Sequence, residues 1–297
     1  MATSIRASST AEAARDRSFR HPLEILERFG RNKIAAAGLV TLLVMLAASA
    51  LAGVILPYDP DAANLDLTLH PPTPAHLLGT DQLGRDILTR VLYAARIDLQ
   101  IGTIGVIIPL IMGAVVGLVA GYYAGWPDAI LGRVIDVVTA FPFLVLVLAI
   151  VAMLGPGLRN FYIAISLVSW VAYARIVRGE TLGVRGRGYI LAARSLGYSD
   201  ARIMFRHLLP NVIVPALVFG MSDFVLDILA GASLGFFGLG VQPPTPEWGV
   251  MIAEGRNFII TAPWVVIFPG VAIIVTSFFV SLIGDSVSDI VRRVRAS

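Results

Sequence analysis

The chain has 297 residues, a hydrophobic fraction of 57%, a charged fraction of only 14%, a net charge of +3 and no cysteine. A soluble domain is about half apolar and a quarter charged, so this composition excludes an ordinary soluble domain, and the lack of cysteine excludes disulfides and thiolate metal sites. A net charge this small gives no reason to expect nucleic acid as a partner.

About thirty polar residues precede the first apolar run, which argues against a cleavable signal peptide. Residues 1–33 read as a cytoplasmic tail ending in an amphipathic segment, "PLEILERFGRNK", on the inner membrane surface. The first span is 34–56, whose 23 residues reach roughly 34 Å, enough to cross a bilayer core of ~30 Å. Residues 57–98 form an external loop. A Pro-rich turn, "HPPTPAHLLG", is followed by Leu83, Ile87, Leu88, Val91 and Leu92 on one helical face, which predicts a short interfacial helix before the second span. Further spans are expected at 99–120, 130–154, 161–177, 212–237 and 262–283. Pro109, Gly113 and Gly117 in the second, Pro142 in the third, and Pro215 and Gly220 in the fifth fit closely packed membrane helices. Tyr122, Tyr123 and Trp126 read as an interfacial belt. The expected architecture is an all-α, polytopic bundle of six transmembrane helices, with a five-helix core at 99–291 and a short C-terminal tail at 292–297.

With the N-terminus inside, the N-terminal tail carries seven Lys and Arg, the segment between spans four and five another seven, and the C-terminal tail three, with Arg133 at the start of span three. Five remain outside: Arg85, Arg90, Arg96, Arg159 and Arg256. This bias places both termini in the cytoplasm. Inside, too, lies the polar stretch "GYILAARSLGYSDARIMFRHLLPN", part of a loop at 183–210. It reads as two short helices. Gly197 stands where a left-handed C-terminal cap belongs, Ser199 where an N-cap belongs, with Asp200 at the first helical position and Pro210 opening span five. A helix-turn-helix DNA reader would need its own core and room to approach a duplex, and spans begin within a few residues on either side. The island reads instead as a knob for a soluble partner. Ala192, Ala193 and Gly197 permit close approach; Tyr189, Leu191, Leu196, Tyr198, Ile203, Met204 and Phe205 offer apolar contact; Arg194, Arg202 and Arg206 could meet acidic groups.

"LAARSLGYSDARIMFRHLLPN" resembles the EAA loop of bacterial ABC-importer permeases, with Ala192, Ala193, Gly197, His207 and Pro210 on that pattern and Leu191 in place of its Glu. "GTDQLGRDILTRVLYAAR" and "LGFFGLGVQPPTPEWGVMIAEG" are similar to segments of the dipeptide/oligopeptide/nickel branch, in its second, C-type subunit. The resemblance implies a half-pore in the bacterial inner membrane. It would pair with a B-type permease subunit, one or two ATPase subunits and an external solute-binding protein. ATP and Mg would bind the ATPases, and this chain would bind no cofactor; a Walker A pattern is absent from it. The 188–210 island would be the coupling helix seated on an ATPase. Relatives of the branch carry dipeptides, oligopeptides, glutathione, nickel chelates, opines and sugars, with short peptides the commonest case.

Asp223 and Asp227 are one turn apart in span five, near mid-membrane. Two readings stay open for them: contact with a peptide amino group in the translocation path, or a structural role as an interhelical hydrogen bond or a charge pair with the partner permease. Arg133 and Asp136 have the spacing of a local ion pair. His207 reads as a packing residue, and His70 and His76 beside Pro71 and Pro72 are thin evidence for a metal site. A gradient-driven carrier would call for inverted repeats, and a membrane enzyme for a catalytic constellation; the sequence displays neither.

Overall fold

The computed structural model describes residues 33–296; the amphipathic segment expected at 22–33 lies outside them apart from Lys33. The described residues are helical, with no strand and one isolated bridge, Thr80 to Asp86. In chain order they form α1 (Lys33–Ile55), α2 (Ile87–Tyr123), α3 (Trp126–Thr139), α4 (Phe143–Leu154), α5 (Leu158–Val184), α6 (Gly188–Ser195), α7 (200–212), α8 (Val214–Phe236), α9 (Trp248–Gly255) and α10 (Trp264–Ala296). Helices α1, α2, α5, α8 and α10 are each long and apolar enough to cross a membrane.

Two expectations are corrected here. The short interfacial helix and the second span are one helix, α2, of 37 residues and about 55 Å. Hydropathy divided them because Arg90, Arg96 and Asp98 read as water-facing, yet Arg90 and Asp98 are buried and Arg96 is engaged. Arg90 donates to Pro60 O at 2.9 Å, Arg96 donates to Ser49 O on α1 at 2.8 and 2.5 Å, and Asp98 accepts from Trp248 N at 3.3 Å. Asp86 caps the helix by accepting from Thr89 N at 2.8 Å, and Leu83 lies before that cap, off the helix. The expected third span, in turn, is two helices, α3 and α4, bent by 86°. Pro142 forces the bend, since it cannot donate to the helix and pushes Phe141 away from helical backbone. Taken as one broken span, the pair makes the sixth crossing.

Helices α2 and α5 form the centre. Gly113, Gly117 and Gly121 make one stripe on α2, four residues apart, and α5 lies directly against it. A Cβ at Gly113 would fall 2.4 Å from Trp170 O, at Gly117 2.4 Å from Ala174 O, and at Gly121 2.8 Å from Thr181 Cβ. Only glycine lets the two backbones meet this closely. A second close approach joins α2 to α8, where a Cβ at Gly105 would fall 2.3 Å from Asp227 Oδ2. The last helix continues to Ala296, through the expected tail.

Residues 57–86 fold over the start of α2. Arg85 donates to Asp81 at 2.6 Å and to Glu254 at the end of α9 at 2.9 Å, and Arg90 lies 3.6 Å from both carboxylates. Asp81, Arg85 and Arg90 of this cluster are buried while Glu254 is partly exposed, so the buried members depend on one another: removing one partner of a buried pair costs about 3–5 kcal/mol. His76, one of the two histidines weighed for a metal, instead bonds Asp86 through Nδ1 at 3.0 Å and packs on Tyr58.

The candidate coupling surface

At the opposite end of α2 from the charge cluster, residues 185–212 form the island. Helix α6 ends at Ser195 in a full left-handed cap. Gly197 has φ +76°, its N–H donates to Arg194 O at 3.0 Å, and Tyr198 N–H donates to Ala193 O at 3.2 Å. These are the two bonds of the Schellman ending. Ser199 then caps α7, its hydroxyl accepting from Arg202 N at 3.4 Å, with Asp200 in the first turn. So the local reading of Gly197 and Ser199 holds. Pro210 differs from expectation. The chain passes from Asp200 through a wide π turn at Ile203–Leu208 and on to Val212 before it bends at Ile213, and Pro215 stands in the first turn of α8.

The predicted contact residues divide between two faces. Ala193, Ile203 and Met204 are buried; with Ile190 and Leu208 they pack against Leu118, Tyr122, Tyr173, Val177 and Val184 of α2 and α5. Full burial of an Ile or Leu side chain contributes about 1.5–3 kcal/mol, so these residues seat the island on the bundle. Tyr189, Leu191, Ala192, Leu196, Gly197, Phe205 and Pro210 face outward, Leu196 at 73% exposure. Tyr198 is half-buried, stacked on His207 with ring centroids 5.7 Å apart and covered by Arg202 at 4.3 Å. His207 is thus a packing residue, and its backbone carbonyl accepts from Asn211 at 2.7 Å. A Cβ on Gly197 would meet nothing within 4 Å. The outward face therefore exposes large apolar side chains beside Arg194, Arg202 and Arg206, with open space over its glycine cap.

The island is also bonded to the bundle by residues that the sequence reading placed elsewhere. Tyr122 OH donates to Asp200 Oδ1 at 2.5 Å, and Tyr123 OH donates to Asp200 Oδ2 at 3.2 Å. Arg194 lies over the Tyr122 ring at 5.3 Å, and Arg185 donates to Tyr122 O at 3.3 Å. The two tyrosines had read as a lipid belt; no spacing rule links them to a carboxylate 78 residues away.

Among the bundle carboxylates, Asp223 accepts from Tyr173 OH of α5 at 2.7 Å, the interhelical bond that was one of its two readings. Asp227 is 0% exposed, held against Gly105, and neither of its oxygens has a hydrogen-bond partner among the described residues. Arg133 and Asp136 are exposed and form no ion pair with each other. Asp128 is the acid that pairs in this region, with Arg178 Nε and, at 2.8 Å, Arg178 Nη2. A buried acidic neighbourhood at the far end escaped the sequence reading. Glu247 caps α9 by accepting from Gly249 N and Val250 N, both at 2.8 Å, and Asp98 approaches the same turn through Trp248 N.

Comparison with known proteins gives this arrangement its context. Residues 113–294 match the family model described as binding-protein-dependent transport system inner membrane component, and residues 23–72 match the N-terminal TM domain of oligopeptide transport permease C. The chain is 41% identical to the glutathione transport system permease protein GsiD of Pectobacterium atrosepticum, over 95% of its own length and 94% of the relative's. It is 40% identical to the dipeptide transport system permease protein DppC of Alkalihalophilus pseudofirmus, over 90% and 88% of the two chains. The di/tripeptide transport system permease protein DppC of Pseudomonas aeruginosa is 42% identical over 90% of each. In fold, the chain is similar to an inward-facing structure of the MetNI methionine ABC transporter, with a TM-score of 0.54, 19% identity, and coverage of 71% of this chain and 97% of that one.

Proposed function

The chain belongs to the family of inner membrane components of binding-protein-dependent transport systems, and from that premise we propose that it forms half of the pore of a bacterial ATP-driven importer of short peptides. The relatives are named for dipeptides, di/tripeptides and glutathione, itself a tripeptide, and this supports a short peptide as solute. The other half-pore is a second, B-type permease chain. ATP and Mg bind one or two separate ATPase subunits, and an external binding protein delivers the solute. Both termini and the island face the cytoplasm.

The observation that carries the coupling role is the outward face of the island. Tyr189, Leu191, Ala192, Leu196, Gly197 and Phe205 stand clear of the bundle, while Ile190, Ile203 and Leu208 fix that face in place from behind. In this reading the exposed residues enter a groove of an ATPase. Asp223 acts within the bundle, as a tie between α5 and α8, rather than as a solute ligand.

Copurification with a Gly197→Arg comparison tests the assignment. Wild type, expressed with the ATPase subunits of its transporter, is expected to bring them down. Gly197→Arg keeps the fold at a backbone cost of about 1–2 kcal/mol, since its side chain enters open space, but fills the approach to the cap and loses the ATPases. Equal recovery with both forms contradicts the coupling role of this face.

A further inference from the structure

We infer that Tyr122, Tyr123 and Asp200 form a latch through which movement of the island is delivered to α2, and with it to the opposite end of the bundle. The inference rests on the reading of the island as an ATPase-docking surface and adds to it the positioning residues that transmit the motion.

The island has three kinds of connection to the bundle. It is covalently continuous with α5 and α8. Its buried apolar face packs against Leu118, Tyr122 and Val177, which holds the island on the bundle. The third connection is directional. Two neighbouring hydroxyls at the very end of α2 converge on the two oxygens of one carboxylate, at 2.5 and 3.2 Å. Asp200 belongs to the first turn of α7, fixed by the Ser199 cap. Arg194 of α6 covers the ring of the same Tyr122. Both short helices of the island therefore grip a single point, the last turn of α2.

What is gripped is one long helix. Helix α2 is continuous for 37 residues with Pro109 inside it, and on the island side of Pro109 its Gly113, Gly117 and Gly121 stripe lies backbone to backbone on α5. Arg185 at the end of α5 donates to Tyr122 O, closing the pair at the island end. Packed contacts of this kind move as a body rather than deform. At the other end, Arg90 carries the helix into the charge cluster with Asp81 and Glu254, and Asp86 caps it and bonds His76 of residues 57–86. A displacement of the island thus has a bonded route to the far side, about 55 Å away along α2.

The test uses the complete transporter in lipid. The chain has no cysteine of its own, so Leu83→Cys and Phe237→Cys, both exposed at the end opposite the island, give one pair for spin labels in this chain, with partner subunits freed of cysteine beforehand. With the latch intact, the label distance changes when ATP and vanadate trap the ATPases. Tyr122→Phe combined with Tyr123→Phe removes only the two donors. The expected result is unchanged copurification of the ATPases and continued ATP hydrolysis, with the fraction of transporters showing the distance change reduced about tenfold, the size of a modest coupling energy. Asp200→Ala, which removes the acceptor instead, gives the same loss. A distance change that persists in these variants, or is absent with the latch intact, overturns the latch. Loss of the ATPases from the Phe variant overturns it as well, because the contact is then a brace for the docking face. Failure of the wild-type chain to bind any ATPase is a different result and removes the coupling reading on which the latch rests.

Discussion

Gly197 and Gly117 do opposite jobs with the same missing side chain. At Gly197 the backbone needs φ +76° and space is ample; at Gly117 the backbone is ordinary helix and space is nil. The first was legible from sequence, because a helix ending in Gly followed by Ser and Asp is a local rule. The second was legible in part: Gly113 and Gly117 indicated a close helix neighbour, while the identity of that neighbour, α5, depends on packing across some 55 residues. Gly117→Val would drive its side chain into Ala174 backbone, which cannot turn aside as a side chain could. The expected cost is about 1–3 kcal/mol or more, seen as a lower melting temperature of the purified protein, whereas the same change at Gly132, with nothing within 4 Å of a Cβ, leaves melting nearly unchanged. Asp200 marks the limit of local reading: its place at a helix start was visible, and its two tyrosine partners were not.

At the scale of elements, hydropathy gave the number of apolar stretches but misjudged two of their boundaries. Charge inside a helix was taken for a boundary at Arg90 and Asp98, where partners on α9 and in residues 57–86 bury the charge and the helix runs on. A true boundary at Pro142 was taken for tolerated proline, because the flanking residues are uniformly apolar. Helix α9 carries a consequence for pH. Burial pushes the Glu247 carboxyl above the usual carboxylate range, and its two backbone donors and the Asp98 side chain beside it offset that only in part. A group with a raised folded-state value contributes stability that is full below its ordinary value, about 4.3, and is lost as pH rises through the folded value. Melting followed from mildly acidic to mildly alkaline buffer should therefore show wild type losing stability with rising pH more steeply than Glu247→Gln. Identical slopes would contradict a Glu247 carboxyl held above its ordinary range.

The whole molecule is a bundle with two differentiated ends joined by one long helix. One end presents an apolar, glycine-capped face; the other is closed by a buried charge cluster and the Glu247 turn. The fold class and the island were readable from sequence because composition, charge bias and short motifs agreed. The connection between the ends was not, since it depends on Tyr122, Tyr123, Gly121 and Arg185 meeting residues far away in the chain. The proposed drive for solute movement through this bundle is ATP hydrolysis rather than an ion gradient. Its most direct measurement is uptake of a labelled dipeptide into proteoliposomes that hold both permease chains and the ATPases, with the binding protein outside and ATP trapped inside. Accumulation is expected only with ATP inside, and is abolished by Gly197→Arg. Accumulation driven by an imposed ion gradient without ATP would contradict it.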